Sequence, residues 1–536
     1  MSTSPAAPAV PSARAEPPGR AEIASRIAAI FDSVLGRTGT GVGDQFFELG
    51  GDSLTGMRML TRLHEEFGVK VRVADLYRHN TSAELADRLL TLRSRPDTWR
   101  RSLASTARRR RGEPMPLALA QEGFWEIERA TRGAGFFNSV LLIQLIGDVD
   151  ADALAGAIGD VVRRQTQLRV VFGEEGGRPG QRVVDEPPEI TRLDLRRRGE
   201  RALRRLTRME YLRGFDLTAR PAVRFTMART ADDTWAVVLA VHHIVFDAMS
   251  QEVLLEDLAV AYRCRAGDGA PLPPLPVDYL DFAEWQRDTL SGDRLEGHLD
   301  ALRDVLREPA ARIAPVEPAG RFTARIDDIE IPADTVRGLE ATAARRNSTL
   351  FVVLLAAVAD FTRRRTAQRR QVITVQTANR SRPGSEETIG CFSNMLCVGV
   401  DLDAEAPADE TMTVMRAGLA TALEHEEMPF DSALSTWERR GWDPAALGHM
   451  PQLGFTLQQV ADDSVELPGC RMIAEAILQE EENFDPTSFP LVLELGAGEG
   501  RLAGKIHHLV DMWPGDSFPK ARQELLTTFS RYSTLT

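Results

Sequence analysis

Two hydrophobic patterns divide the chain. From about Glu22, apolar residues recur at helical spacing (Ile23, Ile27, Ile30, Phe31 and Val34), which predicts a helix. A second helix is predicted from Ser53, with Leu54, Met57, Leu60, Leu63 and Phe67 along one side, and a short third over residues 74–77. A fourth begins near Thr81 and Ser82, where Thr81 can cap and Glu84 stands three residues on, ahead of Leu85, Leu89, Leu90 and Leu92. Residues 21–92 therefore read as a four-helix bundle, and the Pro-, Ala- and Ser-rich residues 1–20 as a disordered lead. From Pro114 the pattern changes to mixed α and β. Strands are predicted over 140–146 and 235–241, and helices over 152–164, 250–262 and 349–363, with a Pro-rich loop over 271–279. A stretch this long outgrows one core, so two lobes are expected, roughly 114–290 and 291–536.

Charge adds one boundary and removes some functions. Residues 93–113 hold eight arginines against Asp97 and Glu113, a local net of +6. An anion patch and a self-repelling linker both fit that run; the linker is the simpler reading because each flank looks like a separate domain. The whole 536-residue chain carries −13, which argues against nucleic-acid binding. Its four cysteines (Cys264, Cys391, Cys397 and Cys470) form no zinc-type spacing and no disulfide framework, so no metal is expected. The N-terminus lacks a signal-peptide core, and the apolar run over 350–359 is far short of the ~20 residues of a membrane span. A cytoplasmic protein without a membrane partner is expected. The initiating Met and Pro-rich start fit a native N-terminus.

In FFELGGDSLTGMRML (46–60), Gly50 and Gly51 allow a tight turn that sets Ser53 at a helix start. Free N–H groups and the helix dipole favour a phosphate there, although on helix logic alone a plain helix cap is the simpler reading. A nucleophile elbow is excluded, because Thr55 stands where its second glycine would be. The string DQFFELGGDSL inside a four-helix bundle resembles an acyl or peptidyl carrier protein over residues 21–92. The resemblance implies that Ser53, flanked by Asp52 and Leu54, carries covalent 4′-phosphopantetheine.

VHHIVFDAMS (241–250) follows a strand pattern, so His242 and His243 would face opposite sides if the strand continued. Asp247 precedes an apolar-periodic helix and could cap it or anchor an ion pair; a half-buried histidine and a capping aspartate is the plain reading. In context the segment resembles the H-H-x-x-x-D-G signature of nonribosomal peptide synthetase condensation domains. LALAQEGFW (117–125), QTQLRVVF (165–172), YLDFAEWQ (279–286), TIGCFSNML (388–396) and HEEMPFD (425–431) resemble that family's other motifs in the same order. The whole chain thus resembles a peptidyl carrier–condensation didomain. The fold implied is a small four-helix carrier followed by a two-lobed, chloramphenicol-acetyltransferase-like α/β domain.

The resemblance also implies roles. His243 would orient or deprotonate an acceptor amine as it attacks a donor aminoacyl or peptidyl thioester, forming an amide. His242 would be structural, and Asp247 would pair with Arg380 to hold the loop. The acceptor would be a downstream carrier or a free amine. Loading would come from an adenylation domain, in trans or in a larger chain, and the arm from a phosphopantetheinyl transferase. Two departures stand out: Ala248 replaces the motif glycine, and 165–167 lacks the family's His-Glu pair. An altered or idle docking module, or a coenzyme-A-dependent acyltransferase of the same fold, are the alternatives. LVLELGAGEGRLAG (491–504) resembles a methyltransferase glycine-rich motif, but too little chain follows for a Rossmann-type sheet, and a β-hairpin is expected.

Overall fold

The computed structural model describes residues 19–51, 53–69, 71–93, 114–131, 137–308, 312–316, 323–382, 384–441, 451–459, 464–477, 482–483, 489–498 and 500–535. Residues 1–18 of the expected disordered lead and most of the Arg-rich linker, 94–113, lie outside these residues, whereas Arg20, expected in the lead, is the first residue of a helix capped at Gly19.

The N-terminal bundle consists of α1 (Arg20–Leu35), α2 (Ser53–Phe67), α3 (Val73–Arg78) and α4 (Ser82–Arg93). Its apolar stripes meet in one core, with Ile23, Ile27, Phe31, Phe46, Met59, Leu63, Leu85 and Leu89 wholly buried. Each such side chain stabilises the bundle by about 1.5–3 kcal/mol. Thr81 and Glu84 form a reciprocal cap at α4: Glu84 N donates to Thr81 Oγ1 and Thr81 N to Glu84 Oε2, both at 3.2 Å.

Beyond the linker come α5 (Leu119–Thr131), α6 (Ala151–Arg164), α7 (Gly199–Leu212), α8 (Ala248–Arg265), α9 (Tyr279–Thr289), α10 (Gly292–Val305), α11 (Ala333–Arg345), α12 (Leu350–Thr366), α13 (Ala408–Leu423), α14 (Phe430–Arg439) and α15 (Ser517–Ser533). Among the described residues, two large sheets organise them. One has six strands in the spatial order Ser464–Leu467, Cys470–Ile477, Asn138–Gly147, Thr234–His242, Val223–Ala231 and Glu189–Asp194. The other has seven and contains Arg370–Thr377, Asn394–Asp401, Leu453–Gln459, Leu491–Gly498, Arg501–Leu509 and Ala324–Ile331. The lobes are not contiguous in sequence. Ser464–Leu467 and Cys470–Ile477 cross back and add to the first lobe's sheet, where Cys470–Ile477 pairs with Asn138–Gly147. This covers a strand edge that would otherwise expose unpaired backbone, and no division at residue 290 could include it.

Helix α12 is buried on all sides from Val352 to Arg363, which explains an apolar run without helical alternation. No helix among the described residues is long and apolar enough to cross a membrane. The glycine-rich LVLELGAGEGRLAG stretch is an antiparallel hairpin in which Gly498 pairs with Arg501. His507 and His508 are ordinary members of its second strand.

The bundle sits on the second lobe through α3 and α13. Arg78 forms an ion pair with Glu424 and donates to Thr421 Oγ1 at 3.2 Å, while Arg72 donates to the Glu424 carbonyl at 3.4 Å.

Candidate functional site

The centre of the first sheet ends at the histidine pair. The Thr234–His242 strand stops at His242, and His243–Val245 forms one 3₁₀ turn before α8. The turn, not strand alternation, separates the two rings. His242 is wholly buried, and its Nδ1 accepts from Ile244 N at 3.0 Å. His243 is half-buried, its N–H donates to Phe137 O at 2.8 Å, and its Nδ1 is buried with no hydrogen-bond partner among the described residues. Burial pushes the His243 imidazole below its ordinary value, opposed in part by the Asp247 carboxylate. A ring that is neutral at neutral pH can accept a proton.

Asp247 is not free to take that proton. Its Oδ1 accepts from Ser250 N at 2.8 Å and Arg380 Nη2 at 2.7 Å, and lies 2.7 Å from Ser250 Oγ. Its Oδ2 accepts from Phe392 N at 3.0 Å and Ser393 N at 3.1 Å. Asp247 thereby caps α8 and ties it to the loop before the Asn394–Asp401 strand. Arg380 completes the tie, donating to Ser385 O at 2.6 Å and Thr388 O at 2.5 Å with its guanidinium over the Phe392 ring.

The other sequence motifs converge around this loop. Gln121 Nε2 donates to Ile244 O at 3.0 Å. Tyr279 Oη donates to Cys391 O at 2.7 Å, and its ring fills the space a side chain at Gly390 would need: a Cβ there would fall 2.0 Å from Tyr279. Asn394 Nδ2 donates to Glu426 O at 2.6 Å and Met428 O at 3.1 Å, joining HEEMPFD to TIGCFSNML.

The two departures have structural accounts. Ala248 opens α8, is exposed, and is not among the residues with positive φ, so the position does not require glycine. Gln165 is fully buried at the junction of the lobes, away from the histidine turn in its bonding. Its Nε2 donates to Asp257 Oδ2 at 2.8 Å and Glu387 O at 3.0 Å, and its Oε1 accepts from Ile389 N at 2.9 Å.

Sequence reading missed Phe124. Its ring stacks on His243, centroids 5.4 Å apart and planes 8° from parallel, with Phe137 edge-on at 4.8 Å. The signal for it was its position three residues after Gln121, on the same face of a helix.

In the bundle, Gly50 has φ +94° and a Cβ at Gly51 would fall 2.3 Å from the Phe46 ring, so the turn into α2 needs both glycines. Helix α2 then begins at Ser53, with Leu54 second; Asp52 lies outside the described residues. A serine at the start of a fifteen-residue helix, after a turn this tight, fits a phosphodiester at the helix N-terminus. Among the described residues no group of three or more His, Cys, Asp or Glu could hold a metal ion.

The condensation-domain family profile matches residues 112–508, and the phosphopantetheine-attachment-site profile matches residues 25–89. A linear gramicidin synthase of Brevibacillus parabrevis is 29% identical over 419 residues, covering 76% of this chain and 8% of that protein. Phosphinothricin tripeptide synthetase PhsC of Streptomyces viridochromogenes is 32% identical over 371 residues, covering 66% of this chain and 33% of that protein. The chain thus spans a third or less of these relatives. Among solved structures, the X-domain from teicoplanin biosynthesis superposes with a TM-score of 0.68 at 22% identity, over 81% of this chain and 97% of that one. The first condensation domain of the CDA synthetase gives 0.64 at 17%, over 79% and 96%.

Proposed function

This chain belongs to the condensation-domain family and carries a phosphopantetheine-attachment domain ahead of it, and on that premise we propose that it forms an amide bond between a carrier-bound acyl donor and an acceptor amine. The observation that carries the reading is the division of labour at the turn. Asp247 has every oxygen occupied, whereas His243 keeps a half-buried ring that burial holds neutral.

Ser53 is the attachment residue in this reading. When attached, 4′-phosphopantetheine supplies the thiol on which the donor is held. The amine nitrogen of the acceptor forms a C–N bond to the donor carbonyl as the C–S bond breaks, and the proton lost by the amine ends on the departing sulfur. His243 orients that amine and takes or guides its proton. Asp247 and Arg380 hold the turn, and His242 shapes it from beneath. A thioester is already activated, so alignment of two confined substrates supplies much of the acceleration.

The chain's own bundle is the donor in this proposal, supported by its seat on α13 through Arg72 and Arg78. The turn that follows the seat is bonded to Asn394, next to Ser393 and hence to Asp247. The acceptor is a second carrier's amine or a free amine. An adenylation domain loads the donor, and a phosphopantetheinyl transferase using coenzyme A modifies Ser53 in the cytoplasm.

Two measurements test the reading. Intact mass after incubation with coenzyme A and a phosphopantetheinyl transferase should rise by one arm in the parent and stay fixed in Ser53→Ala. With loaded donor and a competent acceptor, His243→Ala should form product at least ~100-fold more slowly; equal rates would discard the catalytic assignment and leave a docking module.

A further inference from the structure

Glu128 is a buried acid that the chemistry so far does not use. It lies on α5, 5% exposed, and neither carboxylate oxygen has a hydrogen-bond donor among the described residues. A carboxylate out of water and without a donor is strongly disfavoured. The group facing it is His242, whose Nε2 lies 3.5 Å from Glu128 Oε2 and has no hydrogen-bond partner among the described residues.

The tautomer of His242 follows from its other nitrogen. Nδ1 accepts the Ile244 N–H at 3.0 Å, so Nδ1 carries no proton, and the proton of a neutral ring sits on Nε2. A buried N–H therefore faces a buried carboxylate across a gap that a shift of roughly half an ångström would close into a hydrogen bond. Phe137 and Phe215 pack edge-on against the ring, at 5.9 and 6.3 Å between centroids.

Helix α5 runs antiparallel to the end of the strand and the start of the turn and touches three successive residues there. Glu128 faces His242, Phe124 stacks on His243, and Gln121 takes the carbonyl of Ile244. Positions 121, 124 and 128 are spaced as i, i+3 and i+7, one face of a helix. The N–H of Ile244 is held through His242 and its carbonyl through Gln121, so α5 secures both backbone groups of the residue next to His243.

We propose that Glu128 is a positioning residue for amide-bond formation: its carboxylate holds the Nε2–H tautomer of His242, keeps Nδ1 available to the Ile244 N–H, and so fixes the turn that presents His243. The proposal rests on the catalytic reading of His243, and its first readout does not depend on activity. In the full chain labelled with ¹⁵N-histidine, the His242 resonances, assigned by their loss in His242→Gln, should show Nε2 protonated and Nδ1 bare. Glu128→Met, of similar volume and without an acceptor, should mix the two tautomers and lower kcat at least tenfold, with the KM for acceptor unchanged. Glu128→Gln, whose carboxamide oxygen can accept, should keep the parent tautomer and stay within threefold of the parent rate. A parent ring protonated on Nδ1 overturns the proposal even if Glu128→Met fails to fold. So does folded Glu128→Met with parental tautomer and rate. Product formation unchanged in His243→Ala would instead remove the catalytic reading and leave the tautomer result standing.

Discussion

Asp247 Oδ1 lies 2.7 Å from Arg380 Nη2, with both side chains almost wholly buried. The pair joins the start of α8 to the loop after the Arg370–Thr377 strand, across 133 residues of sequence. Removing either partner strands the other charge out of water, a loss of about 3–5 kcal/mol. Asp247→Ala should therefore lower the urea midpoint sharply and abolish condensation. His243→Ala should abolish condensation with the midpoint nearly unchanged. Equal stability loss in the two variants would contradict this separation of a structural carboxylate from a reactive ring.

The pH profile of condensation should carry the His243 signature. Burial lowers its proton affinity below the ordinary value near 6.5. The base form is then filled at neutral pH, and the rate should fall only as pH drops through a midpoint below 6.5. A midpoint above 6.5 for kcat with saturating substrates would refute the assignment.

Stability should also weaken in acid for a different reason. Burial, with His425 3.0 Å away through the two Nδ1 atoms, holds His298 down to about 4, and burial holds His508 to about 4. The unfolded chain takes up those protons near 6.5 and the folded one does not until about pH 4, so protons favour the unfolded state between these values. Each pH unit in that window costs about 1.4 kcal/mol per histidine. Urea midpoints measured from pH 7 to pH 4.5 should decline accordingly; a flat profile would mean that both rings take up protons as readily in the folded protein as in the unfolded chain.

The seat of the bundle is weaker. Arg78 and Glu424 each keep 34% of their side chains exposed, and such pairs contribute about 0.2–1 kcal/mol. Arg78→Glu should slow transfer from the bundle about two- to fivefold, and adding Glu424→Arg should restore it. A cysteine pair at the same positions should cross-link only if this contact forms in solution.

At the lobe junction, Gln165→Ala would leave the buried Ile389 N–H without its partner, costing about 1–3 kcal/mol, while Asp257 Oδ2 keeps Arg164 Nη1 at 2.9 Å. Ala248→Gly should change the rate by less than threefold, since Ala248 opens a helix without positive φ. A tenfold gain in Ala248→Gly would mean that the methyl group obstructs substrate.

Much of this was legible in one dimension. Periodicity located the four helices of the bundle because each stripe packs against its neighbours within about 70 residues. The strand-and-turn pattern around 491–509 identified a hairpin, since pairing between strands so near in sequence is a local event. The strings around Ser53, His243 and Arg380 marked the proposed site, since a turn, a helix start and a short loop are each built from adjacent residues.

What the sequence could not hold is contact between distant segments. Periodicity cannot say that Cys470–Ile477 returns to the first lobe's sheet, because an unpaired strand edge selects its partner in space. Nor can it say that Phe124 lies flat on His243, or that Gln165 satisfies the groups at the lobe junction. The types and order of the candidate residues were set by the sequence alone. Which of them is sealed by hydrogen bonds and which keeps a half-buried ring without a partner at Nδ1 among the described residues was decided only by tertiary structure, because burial and partner supply depend on packing from every side.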